Sequence, residues 1–178
     1  MGKLKTDNIL DKINYALESF KNIQDLIKFA DQKAGAILVV IGLIFTAFVQ
    51  CLGNLTFSLT NPTFLGVFTF IAGIGTIVCL SFVIYYSVFK ILKPRLAKNY
   101  QEGELSSFYF EHISKEAKNI HTKFETITEE IMLKDILDQK IEISNILNEK
   151  NQNLSISFVW LFFSLIASMT FILLSIQL

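Results

Sequence analysis

Residues 28–40 of the chain read KFADQKAGAILVV, and they join a charged stretch directly to an apolar one. Lys28, Asp31 and Lys33 precede the change, and no charged residue follows until Lys90. No proline and no Asn-Gly or Gly-Pro turn signal separates the two parts. We therefore expect one continuous helix of about 45 residues that passes from water into a membrane and ends at Gly53.

Three segments are long and apolar enough to span a bilayer, for which about 18 or more residues are needed. The predicted spans are 34–52, 64–92 and 154–178, and their only charged residue is Lys90, which follows the apolar part of the second. Hydrophobic residues make up 52% of the chain and charged residues 18%, and the formal net charge of zero excludes a globally basic, nucleic-acid-binding protein. The predicted fold class is an all-α membrane protein with three transmembrane helices and long cytoplasmic helical extensions.

The charges of the connecting segments predict the orientation. Residues 53–63 carry no charge, whereas the other ends of the spans are flanked by basic residues. These are Lys28, Lys33, Lys90, Lys93, Arg95, Lys98 and Lys150. By the positive-inside rule, we expect a single domain with residues 1–33 and 93–153 in the cytoplasm and residues 53–63 outside. The C-terminus is then expected outside as well.

The predicted cytoplasmic segments have helical patterns of their own. Residues 6–34 carry a heptad-like apolar seam, which is typical of a helix that packs on other helices. The seam consists of Ile9, Ile13, Ala16, Phe20, Ile23, Ile27, Ala30 and Ala34. A second helix is predicted from about residue 120 to residue 153, and Pro94 is expected to end or kink the second span. We expect these helices to hold copies together in a homo-oligomeric bundle, specifically a tetramer.

Small and hydroxyl-bearing residues form stripes on the predicted spans. On the third span, the stripe lies within about 40° on a helical wheel. It consists of Ser157, Ser164, Ser168 and Ser175, and Lys150 and Asn153 extend it into the cytoplasm. Comparable stripes are Thr69, Gly73, Thr76 and Ser87 on the second helix, and Gly35, Gly42 and Thr46 on the first. Two interpretations stay open: the stripes let helices approach and hydrogen-bond, or one of them lines a water-filled pore in an oligomer.

The charges at the start of the first span also allow two interpretations. Asp31 and Lys33 are two residues apart and point to nearly opposite sides of the helix, while Lys28 lies three residues before Asp31 and can pair with it. These charges either anchor the helix at the membrane interface, with Lys33 reaching the lipid headgroups, or form a gate. As a gate, Asp31 and Lys33 would form a charged ring at a pore mouth or a latch that a signal releases. Lys150 would hold the matching place on the third span, with the polar Asn153 beside it.

Motifs for catalysis and cofactor binding are absent from the sequence. We find no phosphate-binding glycine loop, no dinucleotide fingerprint and no Cys-x-x-Cys. Cys51 and Cys79 lie in apolar stretches, where we expect small buried hydrophobes, and His112 and His121 lack the spacing of metal ligands. The sequence therefore predicts no enzyme activity, no metal and no cofactor.

Four stretches carry a resemblance to a known family. They are FADQKAGAILVVIGLIFTAF at 29–48, KILKPRLAKN at 90–99, FYFEHIS at 108–114 and LDQKIEISNILNEKN at 137–151. Together they resemble the Pycsar-type transmembrane effectors of bacterial anti-phage systems. The resemblance implies an inner-membrane effector, paired with a nucleotidyltransferase or cyclase, that impairs the membrane when the nucleotide signal changes.

The same resemblance suggests what the ligand is and where it binds. The chain has no separate nucleotide-binding domain, which favours a short oligonucleotide, as in stand-alone Hailong-type effectors, over a cyclic pyrimidine nucleotide. The candidate ligand-binding residues are Arg95, Lys98, Lys115, Lys118, Lys123, Lys134 and Lys140. The function expected is a nucleotide- or oligonucleotide-gated pore that depolarises the membrane. The alternatives are a non-conducting membrane scaffold or partner-docking subunit and, third, a holin-like lytic protein.

Overall fold

The computed structural model of the chain describes residues 3–53, 55, 63–94, 122 and 125–178, with the backbone alone for residues 3–7. In these ranges the chain forms α1 (Lys3–Gly53), α2 (Phe64–Tyr85), which continues as a π-helix (Tyr86–Leu92), and α3 (Glu129–Ser175), with no strand. Three helical segments are long and apolar enough to cross a membrane. The predicted all-α fold class with three such helices is confirmed.

Helix α1 is continuous over 51 residues. It passes through Asp31, Lys33 and Gly35 without a break, since no residue there removes a backbone donor or favours a turn strongly enough to end a helix. The prediction of one helix running from the charged segment through the first span to Gly53 is confirmed.

Helix α2 has a defined cap at each end. At its start, the Gly66 amide donates a hydrogen bond to the Thr63 hydroxyl oxygen over 3.2 Å. At its other end, the last helical turns widen into the π-helix, which closes when the Lys93 amide donates to the Val88 carbonyl over 3.0 Å. Pro94 follows directly and has no N–H with which to continue the helix, which confirms its predicted role.

Residues 122, 125 and 126 are also helical, but the helix predicted from about residue 120 to residue 153 is interrupted before α3 begins at Glu129. Ile127 and Thr128 are not helical. The Thr128 hydroxyl oxygen accepts from the Ile131 amide over 3.4 Å, so Thr128 caps the new helix, and the first turn carries Glu129 and Glu130, which favour a helix N-terminus. A capping threonine followed by acidic residues outweighed the longer apolar periodicity.

The chain divides into two compact units. The polar unit comprises Met1–Lys28 and Pro94–Glu149, and the membrane unit comprises Phe29–Lys93 and Lys150–Leu178. In the polar unit, Ile13 and Ala16 of α1 form a buried cluster with Ile136 of α3. Phe20, Ile23 and Ile27 are half-buried. The part of the seam at Ile13 and Ala16 is thus covered by α3 of the same chain and is not a free face for a second copy.

The membrane unit has its own apolar core. Its members are Ala34, Ile37 and Ile41 of α1, Leu80, Val83 and Ile91 of α2 and its π-helical continuation, and Leu154 of α3. Many large apolar side chains of this unit instead face outward, among them Val39, Leu43, Phe70, Ile71, Phe162 and Met169. In water such a surface would aggregate, whereas lipid tails solvate it. The orientation across the membrane stays a prediction from the charge pattern.

Candidate functional site

An ion pair joins α1 and α3 at the cytoplasmic-facing end predicted for the membrane unit. The Lys150 ammonium donates a hydrogen bond to the Asp31 carboxylate. The side chain of Lys150 is only 7% exposed and that of Asp31 is 37% exposed. A buried lysine is rare unless an acidic group compensates its charge, and here Asp31 supplies that group.

The position of this ion pair follows from the chain on either side of it. Ala34 lies three residues beyond Asp31, Leu154 lies four residues beyond Lys150, and both belong to the apolar core of the membrane unit. One helical turn therefore separates the pair from that core on each helix. The core fixes the two helix faces against each other, and so brings the carboxylate to the ammonium across a sequence separation of 119 residues.

The predicted pairing of Lys28 with Asp31 is wrong. Lys28 instead pairs with Asp25 over 3.0 Å, and both side chains are exposed. Both aspartates lie three residues from Lys28, so local spacing does not distinguish them. Because Asp31 faces α3 and is engaged by Lys150, Lys28 turns to the other acid.

Two further predicted gating residues, Lys33 and Asn153, lie within three residues of the ion pair in the sequence. Lys33 is exposed, and its ammonium lies over the ring of Phe29 at 4.3 Å from the centroid. Asn153 is half-buried on α3. The structure thus pairs two of the four predicted charged or polar gate residues, Asp31 and Lys150, as opposite charges in contact.

The hydroxyl stripes of α2 and α3 face the interior of the membrane unit. Thr69, Gly73, Thr76 and Ser87 are buried on one side, and Ser157, Ser164 and Ser168 are buried on the other. Ser175 is half-buried. The stripe of α1 behaves differently, because Gly42 and Thr46 are exposed and Gly35 is half-buried. Two of the three predicted stripes therefore form the interior, and the third lies on the surface.

The buried hydroxyl groups all have hydrogen-bond partners. Ser87 and Ser157 hydrogen-bond to each other over 3.0 Å, which links α2 to α3. The other hydroxyl groups donate to a carbonyl three or four residues earlier in their own helix; these residues are Thr69, Thr76, Ser164, Ser168 and Ser175. Within the described ranges, no buried side-chain nitrogen or oxygen lacks a partner. This arrangement is the one that helix packing through small hydroxyl residues predicts.

Gly73 of α2 allows α2 and α3 to approach each other closely in this interior. A Cβ atom at Gly73 would lie 3.1 Å from an edge carbon of the Phe171 ring. That ring also packs on Phe48, with 4.6 Å between ring centroids. Because the glycine and hydroxyl face of α2 covers α3 so closely, Ser164 and Ser168 do not line an open path here. A pore lined by these serines requires the helices to rearrange.

The predicted ligand-binding lysines that the structure describes do not share a face. Lys134 is exposed and lines a groove of about 730 Å³ in the polar unit, together with Lys12, Glu130 and Asp138. Lys140 is half-buried and lies about 120° away around α3. The groove carries as many acidic as basic residues, so it does not favour an anion by charge. Arg95, Lys98, Lys115, Lys118 and Lys123 lie outside the described residues.

The structure also shows what sequence reasoning missed. Gln139 and Glu142 of α3 are buried in the polar unit, and neither was singled out from the sequence. Their spacing of three and six residues from the buried Ile136 was the available signal. Cys51 and Cys79 are free thiols. In the part of the chain that the structure covers, no cluster of His, Cys, Asp or Glu is suited to a metal ion, and His112 and His121 lie outside that part.

Comparisons with known proteins agree over most of the chain. The family model described as the Pycsar effector protein domain matches residues 15–177. The Pycsar effector protein TpPycTM of Treponema porcinum is 35% identical over 98 residues, which cover 55% of this chain and 80% of that protein. No solved structure is significantly similar to the chain.

Proposed function

The chain belongs to the Pycsar effector family of anti-phage membrane effectors, and from this premise we propose that it is a gated pore. In this proposal, copies of the chain assemble in the inner membrane as a homo-oligomer, specifically a tetramer. A nucleotide second messenger or a short oligonucleotide from a partner nucleotidyltransferase or cyclase controls the pore, and the open pore depolarises the cell.

The observation that supports a pore is the run of polar side chains buried along α3. Lys150, Ser157, Ser164 and Ser168 follow one face of a membrane-spanning helix, and a charged group begins it. Polar residues that face the interior of membrane-spanning segments commonly mark substrate or ion pathways. An inert anchor would tolerate apolar residues at all of these positions.

One observation favours the second candidate, a non-conducting scaffold or partner-docking subunit. The hydroxyl groups of this face are satisfied inside the chain, by their own helix or by Ser87. Packing alone therefore accounts for their burial. The two functions differ in one measurable property, which is whether ions cross the membrane.

In this proposal, assembly and ligand binding use surfaces that remain exposed on a single copy of the chain. Ile13 and Ala16 of the seam are covered by α3 in the polar unit, so copies would meet through other faces, such as the exposed Gly42 and Thr46 side of α1 in the membrane unit. An anionic ligand would collect lysines from several copies, with Lys134 and Lys140 among them. Native mass spectrometry in detergent measures the number of copies, and a monomer would contradict the proposal.

The deciding experiment measures ion flux through the reconstituted full-length chain. We expect vesicles of phosphatidylethanolamine and phosphatidylglycerol that contain the protein to dissipate a potassium gradient, while empty vesicles hold it. In cells that express the chain without its partner, a potential-sensitive dye should report depolarisation before lysis. Growth arrest at unchanged membrane potential, with no flux in vesicles, would support the scaffold instead.

A further inference from the structure

The polar face of α3 is tied to both other helices of the membrane unit. We call Lys150, Ser157, Ser164 and Ser168 the polar column. Its first member, Lys150, binds Asp31 of α1, and its second member, Ser157, hydrogen-bonds to Ser87 in the π-helix that continues α2. These two links lie two helical turns apart on α3.

The deeper half of the polar column, Ser164 and Ser168, forms no such polar link to α1 or α2. The hydroxyl groups of Ser164 and Ser168 donate to Leu161 and Leu165 carbonyls of α3 itself. Those bonds persist whether the face meets α2 or water. In a bilayer, separating two apolar helix faces loses their van der Waals packing but carries no hydrophobic penalty, because lipid tails are as apolar as the side chains they replace. The polar links therefore add to packing in holding α3 in this arrangement.

The ion pair is the stronger of the two links and the one that a signal can reach. Removing one partner of a buried pair leaves an uncompensated charge, which is strongly unfavourable unless the charge finds water. Asp31 is 37% exposed, so it is accessible from solvent, whereas Lys150 depends on it for charge compensation. Ser87 lies in a π-helical segment, and such segments occur frequently at functional sites in helices.

We propose that the Asp31–Lys150 ion pair and the Ser87–Ser157 hydrogen bond form a clasp that keeps the polar column inside the membrane unit. Release of the clasp turns the column toward a water path between copies of the chain. The inference rests on the proposed pore function and specifies what limits the fraction of copies that conduct.

The first experiment breaks the clasp without changing its shape. Asp31→Asn removes the compensating charge, and potassium flux through reconstituted full-length protein should rise at least about tenfold, equivalent to about 1.4 kcal/mol. The double variant Asp31→Lys with Lys150→Asp restores an opposite-charge pair and should return the flux toward that of the unmodified protein. The matched control is Asp25→Asn, which breaks the exposed pair with Lys28 and should leave the flux unchanged.

The second experiment locks the clasp in the conducting background. With Cys51 and Cys79 replaced by alanine and Asp31 by asparagine, the pair Ser87→Cys and Ser157→Cys places two thiols where the hydroxyl oxygens are 3.0 Å apart. Oxidation should form a disulfide and reduce the flux at least about tenfold, and a reductant should restore it. Ser157→Cys alone in the same background should show no effect of oxidant.

The outcomes separate this inference from the function on which it rests. If the disulfide forms and flux is the same before and after reduction, the clasp is refuted while the pore stands, and the exposed Gly42 and Thr46 face of α1 becomes the lining. The clasp is equally refuted if Asp31→Asn leaves flux unchanged or if no disulfide forms. If every variant inserts and none conducts, the pore function fails and the clasp fails with it.

Discussion

The close packing of Phe171 against Gly73 predicts that Gly73→Ala is less stable than an alanine at a roomier glycine of the same helix. Gly73→Ala would place its Cβ atom 3.1 and 3.3 Å from two carbons of the Phe171 ring. Carbon atoms prefer separations of about 3.5–4.0 Å, so the ring must move. Phe171 is only 1% exposed, and Phe48 packs on it at 4.6 Å between centroids, which restricts that movement.

Two opposing terms set the size of the effect. Overpacking a tight interior costs about 1–3 kcal/mol, while alanine gains about 1 kcal/mol over glycine within a helix. Gly75 lies on the same helix with nothing within 4 Å of an added Cβ atom, so Gly75→Ala receives the gain alone. The two variants should therefore differ in unfolding free energy by about 1–3 kcal/mol, which for a chain of this size is roughly 2–12 °C in Tm.

The assay is thermal unfolding in one detergent, followed by far-ultraviolet circular dichroism. We expect a higher Tm for Gly75→Ala than for Gly73→Ala. The double variant Gly73→Ala with Phe171→Leu should lose less Tm than the sum of the losses of the two single variants, because the smaller side chain makes room for the new methyl group. Equal Tm values for the two alanine variants, or strict additivity with Phe171→Leu, would refute the close contact.

Three further predictions test other parts of the structure. Ile13→Asp puts a charge into the buried cluster of the polar unit and should make this unit sensitive to protease at a dose that spares Leu10→Asp, whose side chain is exposed; equal sensitivity would contradict the cluster. Phe82→Leu removes the ring stacked on Trp160 at 4.6 Å and should change the emission of this single tryptophan, whereas an unchanged spectrum would argue against the stack. Thr63→Val removes the oxygen that caps α2 and should lower stability by about 1 kcal/mol in thermal unfolding, while Thr63→Ser should not.

The sequence by itself determined the helices and the membrane-spanning segments. Long apolar runs without charge specify a membrane span. In lipid every backbone N–H and C=O group needs a hydrogen-bond partner within the protein, and a long helix supplies one for nearly all of them. The continuous helix through Asp31 and Lys33 was predictable because nothing there breaks a helix, and Pro94 ends the second because it lacks a backbone donor. These are local properties, and each depends on residues within a few turns of one another.

Only the tertiary structure decided which faces meet. Helical periodicity shows that the seam of α1 and the serine face of α3 are distinctive, but it does not show what packs on them. In the folded chain, α3 packs on Ile13 and Ala16 of the seam, and α2 packs on the serine face. Local spacing offered Lys28 as the partner of Asp31, whereas the folded chain supplies Lys150 from 119 residues away. The physical reason is that burial and charge compensation depend on the neighbours that three-dimensional packing brings together, and those neighbours are distant in sequence.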